Sequence, residues 1–174
     1  MSVCDDASQI TASSCDSSVS YSAGCEATID GDEDTVWTSG LNGPDYDDPN
    51  TFVDGQAQWG YNTNVKLIFA TEAVVTGVQI TNKVDEVEFY ENYKKVRIVF
   101  SNGYEETVTL DPNGKANDIH NLAQPVETSF VNIVGVSTYG YMPEDSWLWT
   151  ESHFHTGFRS GLAEIKVFGC AEGE

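Results

Sequence analysis

Positive charge is what this chain lacks most: 8 lysines and arginines stand against 28 aspartates and glutamates, for a formal net charge of −20. A nucleic-acid surface needs a basic footprint to neutralise phosphates, so the composition excludes nucleic acid as a partner. Anionic membrane headgroups and heparin-like polymers are disfavoured for the same reason, because the field of the whole chain repels them. Neutral sugars, cationic partners and divalent metals remain open. Long apolar runs are also missing: none reaches the roughly 18–20 residues that a membrane helix needs. Ser2 to Ser18 has neither a basic start nor an apolar stretch, so no signal peptide is legible there. Sequences for a serine elbow, a metal-protease helix or a phosphate loop do not occur, and no enzymatic activity is expected.

What is present reads as one globular domain over residues 1–174, with 40% hydrophobic and 21% charged residues. The four cysteines, Cys4, Cys15, Cys25 and Cys170, contain no CxxC pair, which argues against a zinc knuckle. An even count suits an oxidising, extracellular compartment. Three pairings are possible. The favoured one joins Cys15 to Cys25 around a short loop and Cys4 to Cys170 across the two ends of the chain.

Hydrophobic periodicity points to strands. Val65, Leu67 and Phe69 stand at every second position, as do Val74, Thr76, Val78 and Ile80, and then Val96, Ile98 and Phe100. A period of two marks half-buried strands. Asn102-Gly103 predicts a hairpin turn into Tyr104 to Leu110. Phe130 to Val136 is a further β-branched run, and Ile165 and Val167 mark a last strand before Gly169-Cys170. No amphipathic helix is legible. Short strands separated by turn signals predict an all-β fold, an antiparallel β-sandwich. Two segments read as long loops, Thr38 to Asn64 and Thr138 to Ser160, and both are rich in aromatics. Loops of that length in a compact domain are often functional.

The stretch Ala27-Thr28-Ile29-Asp30-Gly31-Asp32-Glu33-Asp34-Thr35-Val36-Trp37 can aim several oxygens at one point. Calcium takes six to eight such ligands, from carboxylates and carbonyls together. The pattern is not an EF-hand, because Leu41 falls where the loop's closing glutamate would stand. Any ion here therefore needs a ligand from elsewhere in the chain.

Ala27 to Trp37 resembles the signature of discoidin domains, the coagulation factor V/VIII C-type domains and family 32 carbohydrate-binding modules. Gln9 to Ser14 resembles their opening strand, Val75 to Ile80 their middle strand, and Gly161 to Cys170 their closing strand. The four motifs occur in the family's order along the whole chain. The resemblance implies a discoidin-like jelly roll. It also implies one Ca2+ held by the carbonyls of Ala27, Asp32 and Ala163, the carboxylates of Asp30 and Glu164, and the carbonyl and hydroxyl of Thr35. In the fucose-binding lectins of this family a histidine precedes an Arg-x-Asp. Lys83-Val84-Asp85 stands at the latter place, but the first histidine of this chain is His120, so the fucose pattern is incomplete.

Sugar sites join aromatic faces to a few directed polar groups on loops. The candidate ligand-binding residues are accordingly Tyr46, Lys83, Asp85, Trp147, Trp149, His153, His155 and Arg159. Trp147 and Trp149, like His153 and His155, are two apart and share a side on an extended segment. Trp37 and Trp59 are assigned to the core by family position. The expected function is a calcium-stabilised, secreted lectin or carbohydrate-binding module that recognises a glycan or glycoprotein through its loops. The alternative is an adhesion or matrix module that binds a protein partner.

Overall fold

A computed structural model describes residues 4–18, 24–38, 52–53, 56–57, 63–83, 93–111, 118–138 and 161–171. The strands are β1 (Ser8–Ile10), β2 (Ser14–Ser17), β3 (Trp37–Thr38), β4 (Phe52–Val53), β5 (Gln56–Ala57), β6 (Asn64–Asn82), β7 (Tyr93–Phe100), β8 (Glu105–Thr109), β9 (His120–Thr138) and β10 (Gly161–Ala171). A single 3-10 turn, Cys25–Thr28, is the only helical element among the described residues. The strand order is β1-β10-β6-β9-β7-β8, with β2 also on β6 and β3 also on β10, and every pairing is antiparallel. β4 and β5 form a separate two-stranded ribbon.

Two strands belong to both layers of the sandwich. The first part of β6, Asn64 to Ile68, pairs with β2 and with Phe130 to Val134 of β9. The second part, from Ala73 onward, pairs with β10 and with the start of β9. The alternation at 65–69 and at 74–80 thus belongs to one bent strand, not to two separate ones, and its register breaks between Ile68 and Ala73. One core lies between the layers. Val65, Leu67, Val96, Ile98, Phe100, Val131 and Ile133 on one side meet Val75, Val78, Ile80, Val126, Ile165 and Val167 on the other. Trp37 is fully buried in that core, as expected. Each aliphatic side chain removed from water there contributes about 1.5–3 kcal/mol.

The hairpin between β7 and β8 falls where Asn102-Gly103 predicts it, with a three-residue loop instead of a two-residue turn. Phe100 N–H donates to the Tyr104 carbonyl at 3.0 Å, and Gly103 N–H donates to the Phe100 carbonyl at 3.0 Å. Gly103 takes positive φ, +86°. This is a type I turn closed by a left-handed glycine.

Both disulfides form in the favoured pairing, Cys4–Cys170 and Cys15–Cys25. In the chain-entropy model the first, which closes almost the whole chain, contributes about 5 kcal/mol, and the second about 2.5–3 kcal/mol.

A polar link joins the layers at the edge strand. Glu106 of β8 accepts a hydrogen bond from Tyr104 Oη at 2.6 Å, from the Ala123 N–H at 2.8 Å and from His120 Nε2 at 2.6 Å. Burial pushes the Glu106 carboxyl up, but the bonds from Tyr104, Ala123 and His120 outweigh it and hold the group below its ordinary range. A depressed carboxyl contributes stability that is present above its unfolded value and is lost as pH falls through the folded value.

Glu106→Gln is therefore expected to lose about 1–2 kcal/mol at pH 7. Melting curves recorded from neutral pH down to below about pH 4 should show the gap to the wild type closing. A gap independent of pH would remove the charge from this account. The last strand makes a second test. A Cβ on Gly169 would sit 1.9 Å from the Val74 carbonyl oxygen and 3.0 Å from Val75 Cα, both backbone. Gly169→Ala must push β10 off β6, and is expected to cost at least about 2 kcal/mol in denaturant titration.

Candidate functional site

The oxygens that the sequence groups near residue 30 do converge. Gly31 takes φ +80°, which bends the chain back on itself at Asp30-Gly31-Asp32. The Asp30 carboxylate accepts the Asp32 N–H at 2.9 Å, and Asp32 Oδ1 accepts the Asp34 N–H at 2.9 Å. The Thr35 hydroxyl lies 2.5 Å from Asp30 Oδ2, 2.9 Å from the Asp32 carbonyl and 3.5 Å from the Ala27 carbonyl. A hydroxyl carries one hydrogen, so it can satisfy only one of these three acceptors at a time. Thr35 and the Asp32 N–H hold the Asp30 carboxyl below the usual carboxylate range.

Glu164 brings the second chain segment to the same place. Its residue is 3% exposed, and its Oε2 is buried with no hydrogen-bond partner. Burial pushes its carboxyl up, and the charges of Asp30 and Glu33 push the same way, against a bond from the Gly31 N–H and the charge of Lys166. A register shift in β10 between Leu162 and Glu164 leaves Ala163 without a partner residue on β6. The oxygens of Ala27, Asp30 and Asp32 thus gather about the Thr35 hydroxyl, and Glu164, with Ala163 beside it on β10, is joined to the same turn by the Gly31 N–H. The donors are all oxygen, three acceptors share one proton, and a buried carboxylate oxygen is orphaned. This set fits a hard divalent cation.

The described residues also show where the loops begin and end. Thr38 of β3 pairs with Gly161 of β10, and Lys83 N–H donates to the Gly161 carbonyl at 3.3 Å. Tyr93 pairs with Thr138, and the Tyr93 and Thr63 hydroxyls bond to each other. Asn82, which is fully buried, stitches this end together. Its Nδ2 donates to the carbonyls of Tyr93 and Asp111 at 3.0 and 2.9 Å, and its Oδ1 accepts the Tyr93 N–H at 3.2 Å. The flanks of segments 39–62, 84–92 and 139–160, and the start of 112–117, meet at this one end of the sandwich.

Tyr46, Asp85, Trp147, Trp149, His153, His155 and Arg159 lie outside the described residues, as does Trp59. Lys83 is described, and it is not a surface lysine. It is 9% exposed, and its Cδ lies 3.2 Å from where a Cβ on Gly161 would stand. Asn82 was not singled out from the sequence. Its signal is an amide at the close of the apolar alternation of β6, just where the chain leaves the sheet.

No protein-family model matches the chain, and no curated protein matches it in sequence. Solved structures do. The family 32 module of Clostridium perfringens NanJ, in complex with galactose, superposes with a TM-score of 0.61 at 14% identity, covering 94% of this chain and 99% of that one. The fold is discoidin-like. The fucolectin of striped bass (Morone saxatilis) serum superposes on this discoidin-like sandwich with a TM-score of 0.57 at 16% identity, covering 92% of this chain and 48% of that one. The family 32 module of AlyQ, in complex with 4,5-unsaturated mannuronic acid, gives 0.53 at 11% identity, covering 92% and 97%.

A raised carboxyl contributes stability that is present below its unfolded value and is lost as pH rises through the folded one. In EDTA at pH 7, Glu164→Gln is therefore expected to melt roughly 2–4 °C above the wild type, the shift that about 1 kcal/mol makes in a domain of this size. Scanning calorimetry at falling pH should show the gap narrow. A variant that melts lower in EDTA at every pH would mean that the ionised Glu164 is satisfied without a cation.

Proposed function

We propose that this chain is a secreted lectin or carbohydrate-binding module that carries one structural calcium ion and holds a glycan in the loops at the Asn82 end of the sandwich. The observation that carries the reading is the gathering of the loop flanks at a single end of a discoidin-like sandwich. Two relatives of that fold were solved with sugars bound. The acidic composition suits neutral sugars better than polyanions. The two disulfides suit an oxidising compartment. The role is binding, not catalysis.

The calcium reading is supported by the oxygens of Ala27, Asp30, Asp32, Thr35 and Glu164, with Ala163 adjacent on β10. The ion would supply positive charge to carboxylates that otherwise repel one another. It would join the segment after the 3-10 turn to the last strand. Lys83, buried at the root of the loops, would position the segment that carries Asp85. Trp147 and Trp149 would offer faces to the C–H side of a sugar ring. His153, His155, Arg159 and Tyr46 would supply directed hydrogen bonds.

A glycan array run in calcium and again in EDTA tests both halves. The expected result is a focused set of hits, competed by free sugar at millimolar concentration. Saturating calcium should raise the melting temperature by about 5–10 °C over EDTA, the effect of a native-state ligand at about 100 times its dissociation constant. Asp30→Asn should melt as the wild type does in EDTA. A blank array from calcium-loaded protein would transfer the proposal to an adhesion module with a protein partner. An identical melt in calcium and EDTA would remove the ion.

A further inference from the structure

The two halves of the oxygen cradle are held in different ways. Glu164 and Ala163 lie on β10, which is paired to β6 on one side and to β1 and β3 on the other. That half belongs to the sheet. The other half hangs on the 3-10 turn Cys25–Thr28, which carries the Ala27 carbonyl and leads directly into Asp30. The turn is short, and its own bonds are few: Ala27 N–H to the Gly24 carbonyl at 3.2 Å, Ile29 N–H to the Glu26 carbonyl at 3.1 Å, and the Thr28 hydroxyl to the Cys25 carbonyl at 2.7 Å. All three stay within the turn. Its covalent tie to the sheet is the Cys15–Cys25 disulfide, because Cys15 sits on β2 opposite Leu67 of β6. Cys25 is buried in the core, and the Thr28 that grips it is fully buried.

We propose that the Cys15–Cys25 disulfide is a positioning element of the cation site. It holds the Ala27 carbonyl, and through the following turn Asp30 and Thr35, within reach of the sheet-borne Glu164. The inference rests on the calcium reading above. It goes further by assigning affinity for the ion to a covalent link that supplies none of the ligand oxygens. The second disulfide makes the natural contrast. Cys4–Cys170 closes a separation of 166 residues against 10 for Cys15–Cys25. It should therefore matter more for stability in the chain-entropy model. Cys170 is six residues from Glu164, roughly 20 Å along an extended strand, so this link should not affect the ion. A purely structural role for both disulfides predicts that stability and affinity change together. The positioning role predicts that they separate.

The experiment compares the wild type, Cys15→Ser/Cys25→Ser and Cys4→Ser/Cys170→Ser. Calcium affinity is measured by isothermal titration calorimetry at a temperature where each protein is folded, and the melting temperature is measured in EDTA. The expected result is a dissociation constant raised roughly tenfold or more in the Cys15/Cys25 variant, the usual size of losing a group that orients metal ligands. The Cys4/Cys170 variant should keep its affinity within about twofold while melting lower in EDTA than the Cys15/Cys25 variant. Unchanged calcium affinity in Cys15→Ser/Cys25→Ser overturns the proposal, as does an equal loss in both variants. If that serine pair does not fold, Cys15→Ala/Cys25→Ala, which removes the same disulfide without placing a hydroxyl where Cys25 is buried, carries the test. A several-fold weaker affinity supports the positioning role, and unchanged affinity overturns it. A wild type that binds no calcium overturns the underlying calcium reading, an outcome distinguishable from both.

Discussion

β10 runs antiparallel to β6 from Leu162 to Ala171, and two departures from regular register along that pairing determine where the other parts of the molecule can lie. At one end the shift between Leu162 and Glu164 lets β3 join β10 through Trp37 and Thr38 and turns a buried carboxylate toward the Asp30 turn. At the other end the shift between Phe168 and Gly169 brings the Val74 backbone against a residue with no side chain. The next residue, Cys170, can then reach Cys4. A one-residue slip in a strand exchanges its two faces. Here it would also remove Ile165 and Val167 from the core and Glu164 from the cradle.

The electrostatics follow from placing so acidic a chain on that frame. Most carboxylates on such a protein can stand in water, where they favour solubility and cost little. Glu164 cannot, because β10 and the turn beside it bury it, and Asp30 and Glu33 add like charge nearby. Burial of an ionised group without a full set of partners is costly, and one N–H from Gly31 satisfies it only in part. A single Thr35 proton serves three oxygens close by. Glu106 is the contrasting case in the same chain. It is half-buried like many strand-edge groups, but three donors meet it, and its charge adds to stability.

The fold was legible because its signals are local and periodic. Val65 to Phe69, Val74 to Ile80 and Val96 to Phe100 alternate as strands must, and they are strands. Of the three cysteine pairings the sequence allows, the favoured one is the one that forms. The 3-10 turn and the first half of β9 were not legible. His120 to Ser129 shows weak alternation, and it is extended because β6 pairs with it and Glu106 grips its His120 and Ala123, which are tertiary facts. The continuity of β6 through Ala70 to Glu72 was hidden for the same reason: three exposed residues look like a turn, although the strand only bends from one layer to the other. At the candidate site, the Asp-Gly-Asp signature and the closing strand carried the convergence of residues 27–35 with 164. Asn82 carried no signal beyond its place, since a buried amide is defined by carbonyls from Tyr93 and Asp111 that sequence does not show to be near.

The proximity of the cradle to the root of the loops gives the architecture its functional logic. Gly161 faces Thr38 and packs on Lys83, while Glu164, three residues further along the same strand, faces the Asp30 turn. On the proposed reading an ion at Glu164 braces the strand just inside the point where segment 139–160 returns to the sheet. It also braces β3 just inside the point where segment 39–62 departs. Neither segment need touch the ion for its ends to be fixed by it. Loops anchored on a rigid frame can vary in sequence at little cost to the core. Asn82 and Tyr93 add a second anchor that is polar and fully satisfied, and such an anchor fixes geometry more narrowly than apolar packing does. Specificity can then reside in the loops while the ion, the disulfides and the buried amide hold their ends in place.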